Sequence, residues 1–234
     1  MSSYRDPLMM HLLDNIPWHC LAGPHAKYSL GTNDARRYAP GFSPIIGFAN
    51  LQDPNFAALA ELCSSGEHFY CGGLSGAVPP GWRVDAETTA NQMLWDAAPP
   101  AENCAAQSVI KLGPSHVPQV LQLVAVTRPG PFAERTIELG DYYGVLEGGR
   151  LLAIAGERMV AGNLREISGV CTHPDFQGRG LARLLVAMLV RLEVQRNEIP
   201  FLHVMQDNGR ARRIYERMGF RHHREVTLQV IMRE

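Results

Sequence analysis

With 234 residues, 46% of them hydrophobic and 19% charged, and a formal net charge of −1, the chain has the composition of a soluble globular protein able to bury a sizeable core. That charge balance excludes any overall pull towards nucleic acid or an anionic membrane. Five cysteines, Cys20, Cys63, Cys71, Cys104 and Cys171, are odd in number and lack CxxC spacing, which implies reduced thiols in a cytoplasmic setting and no zinc site.

The amino-terminal hundred residues carry weak signals. The stretch from Leu13 to Ile46 is rich in turn residues. Asp53 to Ser64 reads as a helix with Phe56, Leu59, Ala60 and Leu62 inward, and His68 to Cys71 and Gln92 to Trp95 read as strands separated by the loop GGLSGAVPPGW. No basic region followed by a long apolar run opens the chain, so no secretory signal is expected.

From Gln107 the pattern becomes mixed α/β. Gln107 to Leu112 is a short strand, and Ser115 is a candidate cap for a helix running to Val126 with Val117, Val120, Leu121 and Val124 on one face. Pro129, Gly130 and Pro131 break regular structure in the loop 127–140, with a short second helix expected over Phe132 to Leu139. Tyr142 to Glu147 and Arg150 to Met159 are two strands joined by Gly148 and Gly149, a hairpin signal. Leu164 to Thr172 is the next strand, and strict alternation puts Leu164, Glu166, Ser168, Val170 and Thr172 on one face.

That strand feeds THPDFQGRGLA, where Gln177, Gly178, Arg179 and Gly180 open an apolar helix with Leu181, Leu184, Leu185, Met188 and Leu192 in a stripe. Such a turn is suited to an anion. The first N–H groups of a helix have no partner within it, and the helix dipole adds positive potential there. Glycine at 178 and 180 lets the backbone approach a pyrophosphate closely. The apolar run Leu184 to Val190 is seven residues, far short of the roughly 20 that span a bilayer. Pro200 to Met205 is extended, and the last helix places Ala211, Ile214, Tyr215 and Met218 on its buried stripe with Asn208 near its start.

The spacing QxxGxA from Gln177 through Gly180 to Ala182 resembles the acetyl-CoA-binding motif of the GNAT N-acetyltransferase superfamily. Asn208, Ala211, Tyr215, Gly219 and Phe220 match that superfamily's second motif, in the right order. HPDFQGRGLARLL is similar to the motif of the glycine N-acyltransferase-like branch, in which a non-binding half packs against a CoA-binding half. The resemblance implies an α/β (α+β) GNAT fold, a mixed, mostly antiparallel sheet flanked by helices. It divides the chain into a degenerate GNAT-like subdomain over 1–104 and an acetyl-CoA-binding domain over 105–234.

The resemblance also implies roles. Backbone groups of Val170, Cys171 and Thr172, on a strand that splays from the one around Leu202 to Val204, would pair with the pantetheine arm. Val170 N–H would polarise the thioester carbonyl. Gln177, Gly178, Arg179, Gly180, Leu181 and Ala182 would cradle the pyrophosphate, with Arg179 and Arg183 able to touch its oxygens. Asn208 and Ala211 would meet the cofactor arm. Tyr215 would protonate the departing thiolate, since a phenol of pKa about 10 is protonated at neutral pH. Glu166 lies eleven residues before Gln177, the offset at which several protein-acetylating members carry a catalytic glutamate. A carboxylate there could deprotonate the acceptor ammonium.

Other chemistry finds less support. Arg210, Arg212, Arg213 and Arg217 form a solvated helix face without a nucleic-acid motif. His173, His203 and the pair His222 and His223 lack a second ligand at metal spacing and read as structural. GGLSG is not a nucleophile elbow, GxxxxGK[ST] is absent, and Cys171 reads as a buried strand thiol. The reading is therefore an N-acetyltransferase that uses acetyl-CoA, without a metal, on a small amine or amino acid, with no membrane partner. Its alternatives are a protein N-acetyltransferase and a non-catalytic acyl-CoA sensor.

Overall fold

The computed structural model describes residues 10–101 and 109–234. Eight strands form the main sheet in the order β4-β11-β5-β10-β9-β8-β7-β6. These are β4 (His68–Gly72), β5 (Trp82–Trp95), β6 (Val109–Lys111), β7 (Tyr142–Glu147), β8 (Arg150–Ala161), β9 (Leu164–Thr172), β10 (Ile199–Met205) and β11 (Phe220–Arg233). Every pairing is antiparallel except β9 with β10. A second sheet holds β1 (Ser29–Gly31), β2 (Ala35–Tyr38) and β3 (Ile46–Phe48). This is the mixed, mostly antiparallel α+β fold expected for the GNAT superfamily.

Among the described residues, five α-helices flank the sheets: α1 (Ile16–Ala22), α2 (Ala57–Ala60), α3 (Val117–Thr127), α4 (Leu181–Gln195) and α5 (Gly209–Met218). Side-chain alternation sends neighbouring residues to opposite sides. Leu202 and Val204 join Leu185, Leu189 and Val190 of α4 in one core, with Tyr215 and Met218 of α5 packed against it. Phe201 joins Leu13, Ile16 and Cys20 of the amino-terminal segment on the other side. On that same side α3 packs Val120 and Leu123 onto Ile154 and Cys171. No helix among the described residues is long and apolar enough to cross a membrane.

The stretches before and after residue 104 share the main sheet, because β5 lies between β10 and β11. β5 pairs with β11 over nearly its whole length but with β10 only through Ala90 to Leu94. Its outer half therefore forms a ribbon with β11, where side chains on both faces stay wet. This explains why only Gln92 to Trp95 looks like a strand in sequence: WRVDAETTA has little apolar content and gains its order from pairing with the distant β11. β11 escapes sequence reading for the same reason. Cys104 and the start of the expected strand at Gln107 lie outside the described residues.

Several local expectations change. The helix expected over Asp53 to Ser64 is a single turn, Ala57–Ala60, entered through the Asn55 carboxamide accepting from Ala58 N–H at 3.1 Å. Phe56 and Leu59 are buried, but the turn stops before Leu62 can face inward, and Leu62 is exposed. Ser115 caps nothing. A 3₁₀ turn at Pro114–His116 precedes α3, and the His116 ring instead accepts from Gly113 N–H. The buried face of α3 centres on Leu123 rather than Leu121, and that of α4 on Leu185, Val186, Leu189 and Val190 rather than Leu184 and Met188. Phe132 to Leu139 contains only the 3₁₀ turn Thr136–Leu139. In α5, Ile214 is exposed. The hairpin is as expected: Gly148 (φ 55°) and Gly149 (φ 79°) both adopt the positive φ that a type I′ turn demands.

Candidate functional site

The parallel pairing of β10 with β9 runs Ile199 to Leu164, Pro200 to Arg165 and Phe201 to Glu166, and then stops. Beyond it, Ile167 to Thr172 pair only with β8, and Leu202 to Met205 only with β5. The two facing edges diverge into a slot in the middle of the sheet. Backbone groups on such edges need partners, so the slot has the hydrogen-bonding chemistry of a missing strand.

Two irregularities in β9 and β8 shape its walls. Ile154 pairs with Cys171 and Gly156 with Ser168, so β9 uses one extra residue there, and Gly169 carries φ 65°. A bulge of this kind redirects side chains. It also corrects the strict alternation: Glu166 and Ser168 point to the amino-terminal side, but after Gly169 it is Cys171 that does so, while Val170 packs against the α4 core. The second shift lies between Glu157 and Val160 of β8 and brings Arg158 over Glu166.

At the far end of β9, His173 N–H bonds Leu152 C=O, one 3₁₀ turn spans Pro174–Phe176, and the chain passes Gln177 into α4. Gly178 (φ 82°) and Gly180 (φ 78°) are left-handed, and a Cβ at either would meet no atom within 4 Å. Glycine is needed there for backbone conformation, and the space beside it is open. Gly180 is the N-cap residue of α4 and no side chain caps it, which leaves the first N–H groups available. The Arg179 guanidinium is engaged elsewhere, forked onto Glu147 at 2.6 and 3.1 Å.

Asn208 caps α5, its Oδ1 accepting from Ala211 N–H at 3.1 Å. Tyr215 lies two turns on, its ring edge-on to Phe220. Burial, with the nearby Cys171 thiol, pushes its hydroxyl up to about 12, so it stays protonated at neutral pH. Burial likewise raises Cys171 to about 11, which keeps that thiol neutral and a poor nucleophile. The expected cofactor residues thus gather around one end of the slot: Val170, Cys171 and Thr172 on its wall, Gln177 to Ala182 at its mouth, and Asn208 and Ala211 beyond β10.

Glu166 occupies the closed end of the slot on the opposite side of the sheet from Tyr215. It is fully buried. Its Oε2 accepts from Arg158 Nε at 2.9 Å, while Oε1 accepts from Arg158 Nη2 at 2.8 Å and bonds His203 Nδ1 at 2.9 Å. Burial opposes its ionisation, but Arg158 and His203 outweigh it and hold the carboxyl at about 2. The sequence does not single out Arg158 and Gln92, and it leaves His203 with a structural role, because the three come from separate strands with no shared motif or spacing. They meet only in the folded sheet.

The FR47-like protein family model matches residues 142–229. No curated protein matches the chain. Among solved structures, one from Novosphingobium aromaticivorans, assigned as an acetyltransferase of the GNAT family, is 35% identical over 96% of this chain and 99% of its own, with a TM-score of 0.86. A GCN5-related N-acetyltransferase from Kribbella flavida shares the fold at 14% identity, covering 92% of this chain and 93% of its own, with a TM-score of 0.59. A GCN5-related N-acetyltransferase-like protein from Streptococcus suis does so at 15% identity, covering 98% and 94%, with a TM-score of 0.55. With the slot, the glycine turn and full-length similarity in agreement, the chain belongs to the GNAT family.

Proposed function

We propose that the protein is an N-acetyltransferase that moves the acetyl group of acetyl-CoA directly onto a primary amine, carried by a small amine or an amino acid. The observation that supports this reading most strongly is the interrupted pairing of β9 with β10 beside the left-handed Gly178 and Gly180 turn. Backbone edges at Val170 to Thr172 and Leu202 to Met205 would hold the pantetheine arm as an added strand. N–H groups of Gly178 to Ala182 would hold the pyrophosphate, assisted by the α4 dipole. Arg179 contributes its backbone, because its side chain is held by Glu147. Asn208 spends its carboxamide oxygen on the cap and keeps its NH₂ free to donate to the cofactor arm.

In the transfer, the amine nitrogen attacks the thioester carbonyl, Val170 N–H stabilises the oxyanion, and Tyr215 gives its proton to the leaving thiolate. Tyr215 and Glu166 flank the slot on opposite faces, so acid and proton-accepting sides are separated as this chemistry requires. The neutral Cys171 thiol disfavours an acyl-enzyme route. A small amine or an amino acid is the first choice of acceptor and a protein amine the second, in line with the resemblance to the glycine N-acyltransferase-like branch.

Calorimetric titration with acetyl-CoA, followed by thiol release against a panel of amines, amino acids and amino-terminal peptides, tests the reading. Binding with release that depends on a small amine or amino acid supports it. Release with peptides alone would replace it by protein acetylation. Binding without release across the panel would favour an acyl-CoA sensor, and no binding would overturn it.

A further inference from the structure

On the side of the sheet away from α4, a cavity of ≈ 90 Å³ is lined by Ile16, Pro17, Ile45, Tyr70 and Met159 and reaches Gln92, Arg158 and His203. It adjoins a groove of ≈ 580 Å³, and Asp14, Arg224 and Val226 line both. The cavity is well below the roughly 300 Å³ of a typical small-molecule site. Its volume suits one end of a small molecule, and the adjoining groove has room for the rest.

The hydrogen bonds at the cavity floor determine the tautomer of His203. Arg224 Nε can only donate, so its 3.2 Å contact makes the facing Gln92 atom the carbonyl oxygen. The other end of Gln92 is then the NH₂, which donates to Leu13 C=O at 3.3 Å and to His203 Nε2 at 3.1 Å. His203 Nε2 must therefore accept, and the ring proton resides on Nδ1, where it is donated to Glu166 Oε1 at 2.9 Å. Arg158 clamps the same carboxylate from β8. His203 lies two residues beyond Phe201, the last residue of β10 paired with β9, so its backbone borders the slot and its ring faces the cavity.

The geometry points to His203 as the proton acceptor for the incoming amine, with Glu166 and Gln92 as positioning residues and the adjoining cavity as the subsite for an amine on a slender, mainly apolar stem. This rests on the acetyl-transfer reading. The acceptor ammonium replaces Gln92 as the donor to Nε2, and Gln92 retains Leu13 C=O. One ammonium N–H bond breaks, its electron pair stays on nitrogen, and the proton forms a bond to Nε2. The resulting imidazolium is stabilised by the Glu166 carboxylate, and the proton is later released to water. The neutral amine is then free to attack the thioester. Glu166 itself, fully occupied by Arg158 and His203, acts through the imidazole.

Two measurements test this. Imidazole ¹⁵N spectra of histidine-labelled protein, with His203 assigned through His203→Asn, should show a protonated Nδ1 and an unprotonated Nε2, and Gln92→Leu should relax that preference. A protonated Nε2 in the parental protein would overturn the proposal, and this readout needs no acceptor. In steady-state transfer from acetyl-CoA to glycine, leucine, benzylamine and phenylethylamine, His203→Asn should lower kcat about 100-fold. It should also abolish the acid limb of kcat/KM against pH and leave the KM for acetyl-CoA near the parental value. The charged and titratable groups around His203 and its cavity are Glu166 from β9, Arg158 from β8, Arg224 from β11, Tyr70 and Cys71 from β4 and Asp14 from the amino-terminal turn, so Glu166→Gln should displace the same limb. Parental kcat with an intact acid limb in His203→Asn would overturn the proposal. If the parental protein transfers acetyl to none of these amines, the acetyl-transfer reading is at fault, and the tautomer still decides on His203.

Discussion

At the scale of single residues, the site is organised by groups whose protonation the fold controls. Tyr215 is protonated because burial disfavours phenolate. Tyr215→Phe is expected to leave acetyl-CoA affinity unchanged by calorimetry while kcat drops about 100-fold, the usual scale for losing a general acid. Parental turnover in that variant would remove Tyr215 from the mechanism. Glu193 on α4 is a different case. It is fully buried, and both its oxygens lack partners among the described residues. Burial pushes its carboxyl well above the ordinary range, aided by Glu157 and against Arg196. A folded pKa above the unfolded one means the folded state binds more protons, so this group favours folding most below about 4.5 and loses that contribution as pH rises. Glu193→Gln should therefore raise Tm more at pH 8 than at pH 4, and an equal shift at both would show that folding does not raise the Glu193 pKa.

At the scale of elements, the slot depends on two glycine devices. The left-handed turn at Gly178 and Gly180 presents backbone N–H groups at the start of α4. Gly180→Glu combines a disfavoured φ with bulk and negative charge at that position, and calorimetry should show loss of acetyl-CoA binding, with the fold retained by circular dichroism. Normal binding would refute the pyrophosphate assignment. The bulge at Gly169 is the second device. A Cβ there would come 3.3 Å from Tyr142 Cε1, and φ 65° strains any L side chain. Gly169→Ala should cost about 1–2 kcal/mol in chemical denaturation and slow transfer by disturbing the wall that carries Val170.

At the scale of the whole molecule, the order of strands ties the two ends of the chain together. β5 supplies both the partner of β10 along the slot and the partner of β11. Leu13 C=O of the amino-terminal segment holds Gln92 and Arg224 beside His203. A fragment spanning 105–234 would leave β10 and β11 without β5, exposing unpaired edges and the faces of Phe201 and Phe220. It should show no cooperative thermal transition, and a cooperative one at the parental Tm would mean that this half folds alone.

The amino-acid sequence by itself determined the elements whose information is local. The Gly148–Gly149 hairpin, the glycine turn, the strand Leu164 to Thr172 and the succession of Asn208 and Tyr215 along one helix all follow from backbone preference and short periodicities, which neighbouring residues carry. β11, the outer half of β5 and the bulge at Gly169 were not legible, because polar strands gain order from partners distant in sequence and a bulge appears only against the opposing register. The same reason hid the cluster of Arg158, Glu166, His203 and Gln92. Glu166 stands out alone as a candidate carboxylate, Arg158, His203 and Gln92 look ordinary in their own strands, and the hydrogen-bonded cluster forms only once the sheet brings β8, β9, β10 and β5 side by side.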